Sequence, residues 1–358
     1  MRVQLKDVAE LAGVQPSTVS LVLNKRPKSE TFTPAARQRV WDAAEKLGYR
    51  PNAAARALVT SRTYNIGFIV PEYAAQRWSN PFYAELLNGI DDTCSKHNYS
   101  LMVHCCNPEK TVNFVFPRSV TERSIDGLII SNAISDSMLK LFEQLNVPCV
   151  RVGFTGKADG STLPVFGPDM LRGRILALEY LVRLGHREVM FLNSGGQYTR
   201  NIAEEFEDHV RQSSLADRIK IHSVFTPDGK CDASAASIFF SNYFNFSEEQ
   251  RPSAVITNPQ TCLGILKEMA KYGMSCPEDL SMISNYNYEI FDFLSPGITS
   301  LKYDNAATGA YATERLIEII NSNTVRNLSQ PEFPVTLEVR QSCTQCTQDR
   351  KKRGDGNQ

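Results

Sequence analysis

The sequence predicts a small all-α helix-turn-helix head followed by a two-lobed α/β body whose parallel sheets are flanked by helices. Three observations predict it. The first 62 residues carry short helical patterns with almost no strand signal. From Tyr64 onward, apolar runs alternate with helical stretches, and they fall into two series, one for each lobe. The charge divides the same way. The 358 residues balance to zero, yet residues 1–62 hold 11 Lys/Arg against 5 Asp/Glu, while the other 296 hold 28 against 34. A basic head on an acidic body is the pattern of a nucleic-acid contact joined to something else.

The composition, 42% hydrophobic and 22% charged, is that of a packed globular chain and excludes a disordered, collagen-like or disulfide-framework protein. No stretch approaches the roughly 18 consecutive apolar residues of a membrane span. Met1 to Asp7 lacks the apolar core of a secretory signal, so a cytoplasmic location is expected. Nine cysteines, an odd number, fit reduced thiols. Cys343 and Cys346 form a lone CxxC with no second pair at zinc spacing, and Cys105-Cys106 reads as the end of a buried strand. No metal and no cofactor is expected.

In the head, Leu5, Val8, Leu11 and Ala12 recur at helical spacing and Gly13 stops that helix. Pro16 suits the first turn of a second helix, running to about Asn24 and burying Val19, Val22 and Leu23. Ala9, Gly13 and Val19 stand at intervals of four and six: a small residue for close helix approach, a glycine for the turn, an apolar residue to lock the corner. That is the helix-turn-helix pattern, whose second helix enters the major groove. A third helix opens at Thr33-Pro34 and closes at Gly48, with Val40, Ala43, Ala44 and Leu47 inside and Trp41 partly covered at the surface. Asn52 can cap a short Ala-rich helix that is marginal by itself.

In the body, strands are expected at 66–70, 101–104, 127–131 and 149–152, with helices near 82–98 and 136–145. The second series places strands at 188–192, 219–224, 254–257 and 280–284 and helices near 169–185, 232–244 and 259–273, with a last helix near 305–321. Repeated βα units imply parallel sheets, with ligands at the carboxyl ends of the strands. Gly195-Gly196 is an isolated pair, neither a dinucleotide fingerprint nor a P-loop. His97, His104, His186, His209 and His222 fall in no catalytic motif, and His186 stands at a helix end suited to capping. No catalytic residue is assigned, and the chain is not expected to be an enzyme.

Lys6-Asp7-Val8-Ala9-Glu10-Leu11-Ala12-Gly13-Val14, Ser17-Thr18-Val19-Ser20, Leu47-Gly48-Tyr49-Arg50-Pro51-Asn52 and Ala55-Arg56-Ala57-Leu58 closely resemble the lactose/galactose repressor (LacI/GalR) family. The resemblance continues through Ile66-Gly67-Phe68-Ile69-Val70-Pro71, Asn80-Pro81-Phe82-Tyr83, Ile125-Asp126-Gly127-Leu128-Ile129, Leu184-Gly185-His186-Arg187 and Cys276-Pro277-Glu278-Asp279-Leu280. It implies a DNA-binding domain over 1–50, a hinge helix and linker over 51–63, a two-lobed effector-binding and dimerisation domain over 64–342 with the fold of periplasmic sugar-binding proteins and three crossovers, and a disordered tail over 343–358. The function implied is a transcriptional repressor, a homodimer on a palindromic operator of double-stranded DNA, controlled by a sugar-like small-molecule effector between the lobes, with no membrane partner.

The same resemblance assigns residues. Pro16, Ser17 and Leu21 are expected to face bases, Thr18 and Ser20 to donate to phosphate, and Asn24, Lys25 and Arg26 to lie near the DNA backbone. Leu21 stands where many members carry an arginine suited to guanine, and leucine offers only apolar contact, for instance with a thymine methyl. In the hinge, Asn52, Ala55 and Arg56 accompany Leu58, the leucine that wedges into the central base step. In the effector pocket, Phe82 matches an aromatic wall, Asp169 an acidic residue, Arg200 an arginine and Asn258 an asparagine. Pro259 replaces that asparagine's acidic partner, and Ser284-Asn285-Tyr286-Asn287 stands where Gly-Phe-Asp-Asp is usual. Two or three sugar-reading carboxylates are therefore missing, and Tyr286, Tyr288, Phe291 and Phe293 are expected to crowd the crossover. That leaves a less polar effector, a phosphorylated one attracted to Arg200, or a body that has lost small-molecule control.

Overall fold

A computed structural model describes residues 3–24, 27–50, 52–71, 81–106, 114–131, 134, 136–153, 155, 161–195, 197–227, 232–322 and 331–346. The expectations placed on Lys25, Arg26, Pro51, Asn80, Gly196 and residues 347–358 lie outside them. The chain forms two compact units, Met1–Tyr64 and Asn65–Gln358.

The first unit is all-α: α1 (Leu5–Ala12), α2 (Pro16–Leu23), α3 (Pro34–Leu47) and α4 (Ala53–Thr60), with a 3₁₀ segment at Pro27–Thr31. α1 starts with the Asp7 carboxylate accepting the Gln4 backbone N–H at 2.7 Å. It stops at Gly13, whose left-handed φ of 65° turns the chain into α2. Thr33 caps α3 by accepting Ala36 N–H, and Pro34 occupies the first turn. Val8, Ala9, Ala12, Val19, Val22, Leu23, Val40, Ala43 and Ala44 make the core; of the apolar series the spacing picked out, Leu5 and Leu47 only pack against its edge and Leu11 is 46% exposed.

The second unit has two sheets. In the first lobe, β1 (Asn65–Pro71), β2 (Ser100–Cys106), β3 (Gly127–Ser131), β4 (Cys149–Val152) and β5 (Val165–Phe166) stand in the order β2-β1-β3-β4-β5, all parallel. α5 (Pro81–Lys96), α6 (Arg118–Thr121) and α7 (Asp136–Glu143) belong to this lobe by sequence. In the second, β6 (Glu188–Asn193), β7 (Lys220–Phe225), β8 (Ala254–Thr257), β9 (Ser281–Ser284), β10 (Thr299–Tyr303) and β11 (Val335–Glu338) run in the order β11-β10-β9-β8-β6-β7, with β11 alone antiparallel. Its helices are α8 (Met170–Arg183), α9 (Gln197–Arg211), α10 (Ala235–Tyr243) and α11 (Pro259–Met269). The last helix, α12 (Asn305–Ser322), returns to the first lobe and packs on α5. The chain thus crosses between lobes after β5, at Asp304 and before β11. Strands such as β3, β4, β8 and β9 are buried along their whole length, as parallel strands covered on both faces must be.

Besides β5, β10, β11 and the short α6, which have no counterpart among the expected elements, four features depart from the sequence expectations. α9 has no counterpart among the expected helices, because its apolar residues Ile202, Ala203, Phe206 and Val210 form a thin stripe in a strongly charged segment. The expected helix near 259–273 ends at Met269 and tightens into a 3₁₀ turn over Ala270–Tyr272. Residues 343–346, placed in the expected tail, are instead held by the body. Cys343 Sγ donates to Met282 O at 3.2 Å, Thr344 N to Ser281 Oγ at 3.2 Å and Cys346 N to Leu184 O at 2.8 Å, which ties 343–346 to the second lobe. The His186 ring does not cap its helix. It is fully buried, 2.8 Å from Ser253 Oγ and 3.2 Å from Thr344 O, while its backbone N–H caps through Leu181 O.

Candidate DNA-contact face and inter-lobe cleft

α2 divides cleanly. Val19, Val22 and Leu23 face the core, and the helical period carries Ser17, Ser20, Leu21 and Asn24 to the opposite side. Pro16 and Ser17 are exposed, and Thr18, Ser20, Leu21 and Asn24 are half-buried. A face of two hydroxyls, an amide and one leucine can offer donors to phosphate and an apolar contact to a base; Thr18, expected beside Ser20 as a phosphate donor, lies off this face. Asn24 is less available than its residue type suggests, because its Nδ2 donates to Ser20 O at 2.8 Å and closes the end of α2.

α4 forms over Ala53–Thr60 within the hinge segment. The Asn52 carbonyl accepts Arg56 N–H at 3.0 Å, the first bond of this helix. The Arg56 guanidinium lies 5.5 Å from the centre of the Tyr64 ring, and Ala55 is exposed. Leu58 is 86% exposed, a large apolar side chain with no core of its own.

The body brings together only part of the expected pocket. Phe82 on α5 and Tyr286 after β9 meet edge to face at 5.7 Å. Tyr286 also stacks on Tyr303 at 6.0 Å and 19°, and Tyr288 stacks on Phe291 at 5.9 Å. Phe293 does not join this cluster as expected; the 3₁₀ turn Glu289–Phe293 turns it outward to 80% exposure.

The three polar expectations are occupied locally. Asp169 caps α8, accepting Arg172 N–H at 3.2 Å. Asn258 caps α11, accepting Thr261 N–H at 2.9 Å, with Pro259 at the first turn behind it. Arg200 is exposed, lies 4.4 Å over the Phe225 ring and donates from Nε to Gly195 O.

Sequence reasoning missed four residues of this region. Glu85, one helical turn beyond Phe82, accepts the Tyr286 hydroxyl at 3.0 Å and Asn305 Nδ2 at 2.8 Å. Its i, i+3 spacing from Phe82 was the available signal. Tyr303 and Asn305 flank the Asp304 crossover. Arg174 is 4% exposed and donates to Asn193 Oδ1 at 3.1 Å at the carboxyl end of β6, with Phe191 and Phe206 beneath it. Burial, then the Glu85 carboxylate, push the Tyr286 hydroxyl far above the ordinary phenol range, so it stays a donor at any physiological pH. Burial likewise raises Tyr288 to about 12, against the lowering effect of its bond with Gln260.

Four histidines sit in hydrogen-bonded structural places: His97 against Glu314, His104 against Ser119, His186 as above, and His222 at 2.5 Å from Glu188. Among the described residues no group of His, Cys, Asp or Glu is placed to hold a metal ion, and no helix is long and apolar enough to cross a membrane.

A basic all-α unit with a helix-turn-helix core, joined to a two-lobed periplasmic-binding-protein-like unit, defines a class of DNA-binding regulator. Residues 4–52 match the model for bacterial regulatory proteins of the lacI family, and residues 178–343 match the periplasmic binding protein-like domain. The chain thus carries a DNA-binding domain of the lacI family and a periplasmic binding protein-like domain, the pairing found in the transcriptional repressors it is similar to.

The chain is similar to the HTH-type transcriptional repressor PurR of Aliivibrio fischeri strain MJ11, at 28% identity over 88% of this chain and 91% of that protein. It is also similar to catabolite control protein A of Priestia megaterium, at 26% identity over 96% of this chain and 99% of that one. Its fold matches the crystal structure of the lac repressor dimer bound to operator and the anti-inducer ONPF. The TM-score there is 0.78 at 22% identity, over 96% of this chain and 100% of that one.

Proposed function

We propose that this chain represses transcription in the cytoplasm as a homodimer on a palindromic operator, with a small-molecule effector between the lobes setting its affinity for DNA. The observation that carries the reading is the outward face of α2, Ser17, Ser20, Leu21 and Asn24, backed by a helix-turn-helix core. One such helix covers one half-site, so twofold protein symmetry and a palindrome belong together. In α4, the exposed Leu58 supports a minor-groove wedge, where unstacking a base step costs a few kcal/mol and bent DNA returns added contact. Control by an effector is a coupling free energy between cleft and hinge, typically about 1–3 kcal/mol.

The domain limits 1–50, 51–63 and 64–342 belong to this proposal. A second reading, a body that takes no small molecule, is favoured by the cleft's own chemistry, because the Glu85 carboxylate already accepts the Tyr286 hydroxyl and Asn305 Nδ2.

Selection from a randomised DNA pool with the purified full chain tests the main reading. The expected result is one enriched palindrome with an apolar-tolerant position opposite Leu21. An enriched single half-site, or no enrichment with or without cell extract, overturns it.

A further inference from the structure

Glu85, Tyr286 and Asn305 come from three separate segments and form one triangle. Glu85 belongs to α5 of the first lobe, Tyr286 follows β9 of the second, and Asn305 opens α12 directly after the crossover. Glu85 Oε2 accepts both the Tyr286 hydroxyl and Asn305 Nδ2, and the same amide nitrogen reaches the Tyr286 oxygen. Tyr286 is 8% and Asn305 1% exposed, so these bonds form with little competition from water. The amide must point its nitrogen inward, since its oxygen would otherwise face the carboxylate charge. That orientation leaves Asn305 Oδ1 buried without a hydrogen-bond partner. A buried acceptor left idle is costly, and the triangle is what it accompanies.

We propose that this triangle is a latch: the Tyr286 hydroxyl serves Glu85 as an internal ligand and holds the two lobes together without any small molecule. Glu85 is then a positioning residue of the cleft, and an effector acts by bringing its own O–H or N–H donor to that carboxylate and displacing Tyr286. The inference rests on the reading of the inter-lobe cleft as the regulatory site. The aromatic contacts of Tyr286 with Phe82 and Tyr303 guide its ring but supply no charge-assisted bond.

The test uses the full chain without added ligand, followed by hydrogen exchange and small-angle X-ray scattering. Tyr286→Phe keeps the ring and deletes the donor. Residues 85–90 and 284–288 are expected to exchange about tenfold faster, the factor for losing one hydrogen bond to a charged group, with a larger radius of gyration. Glu85→Gln keeps the size of the acceptor and should give a smaller change of the same sign. Tyr288→Phe is the control: its hydroxyl accepts Gln260 Nε2 at 2.5 Å within the second lobe and feels Glu85 only through its charge, so it should move both readouts much less than Tyr286→Phe.

Wild-type exchange in Tyr286→Phe overturns the latch, and so does equal loosening in Tyr288→Phe. Operator affinity, measured on the same variants, separates the two readings. Lobes that open with unchanged affinity uphold the latch and overturn the regulatory role of the cleft.

Discussion

Leu58 leaves 86% of its surface in water at a place where three neighbouring residues of α4 are small or polar. A leucine so placed gains by finding an apolar slot, and a kinked base step is one. Leu58→Ala should therefore weaken binding to the selected operator by tenfold or more, on the order of 1.4 kcal/mol, and leave non-specific DNA binding nearly unchanged; competition binding against random DNA checks it. At Leu21, replacement by arginine should move the enriched half-site toward guanine, since arginine reads that base through two hydrogen bonds. Glu143 makes a pH-dependent contribution of a different kind. Its carboxylate accepts Ser161 Oγ at 2.7 Å and Thr162 N–H at 2.6 Å, and those bonds hold its carboxyl below the ordinary 4.5. A carboxyl lowered on folding adds stability above its unfolded value and loses it as the pH falls through the folded one. Glu143→Gln should lower the melting temperature at neutral pH, and the gap from the wild type should close on acidification.

The helix pair α5 and α12 meets through glycines. A Cβ on Gly89 would stand 1.9 Å from Ala306 O, and one on Gly309 would stand 2.4 Å from Leu86 O. Gly89→Ala must push the helices apart and should cost about 1–3 kcal/mol in a urea melt, the usual scale of overpacking. That contact was not legible in the sequence, although both helices were, because strong apolar periodicity locates a helix and says nothing of its partner 200 residues away. β6 and β8 were legible as nearly continuous apolar runs. α9 was not, since a stripe of Ile202, Ala203, Phe206 and Val210 is diluted by charge. The site divides likewise. The α2 face follows from the helical period alone, whereas the meeting of Glu85, Tyr286 and Asn305 depends on three crossovers that no local pattern encodes. Asp169 and Asn258 were found at the expected strand and helix junctions, but their side chains serve as helix caps.

At the scale of the molecule, the uneven charge sets how the protein meets DNA. With 11 Lys/Arg against 5 Asp/Glu in residues 1–62, binding should release counterions. The logarithm of affinity should fall with that of salt at a slope of about −0.9 per phosphate neutralised. Anisotropy titrations across a salt series check this, and a flat response contradicts a head-first electrostatic contact. The return of α12 to the first lobe has a consequence for the chain as it is made. β1 to β5 and α5 leave the ribosome first, but the helix that covers them, with Leu316, Ile317 and Ile320 in the same core as Ile66 and Phe68, is not made until about residue 322. Through the whole synthesis of the second lobe the first keeps an apolar flank uncovered, the kind of surface on which nascent chains misassemble.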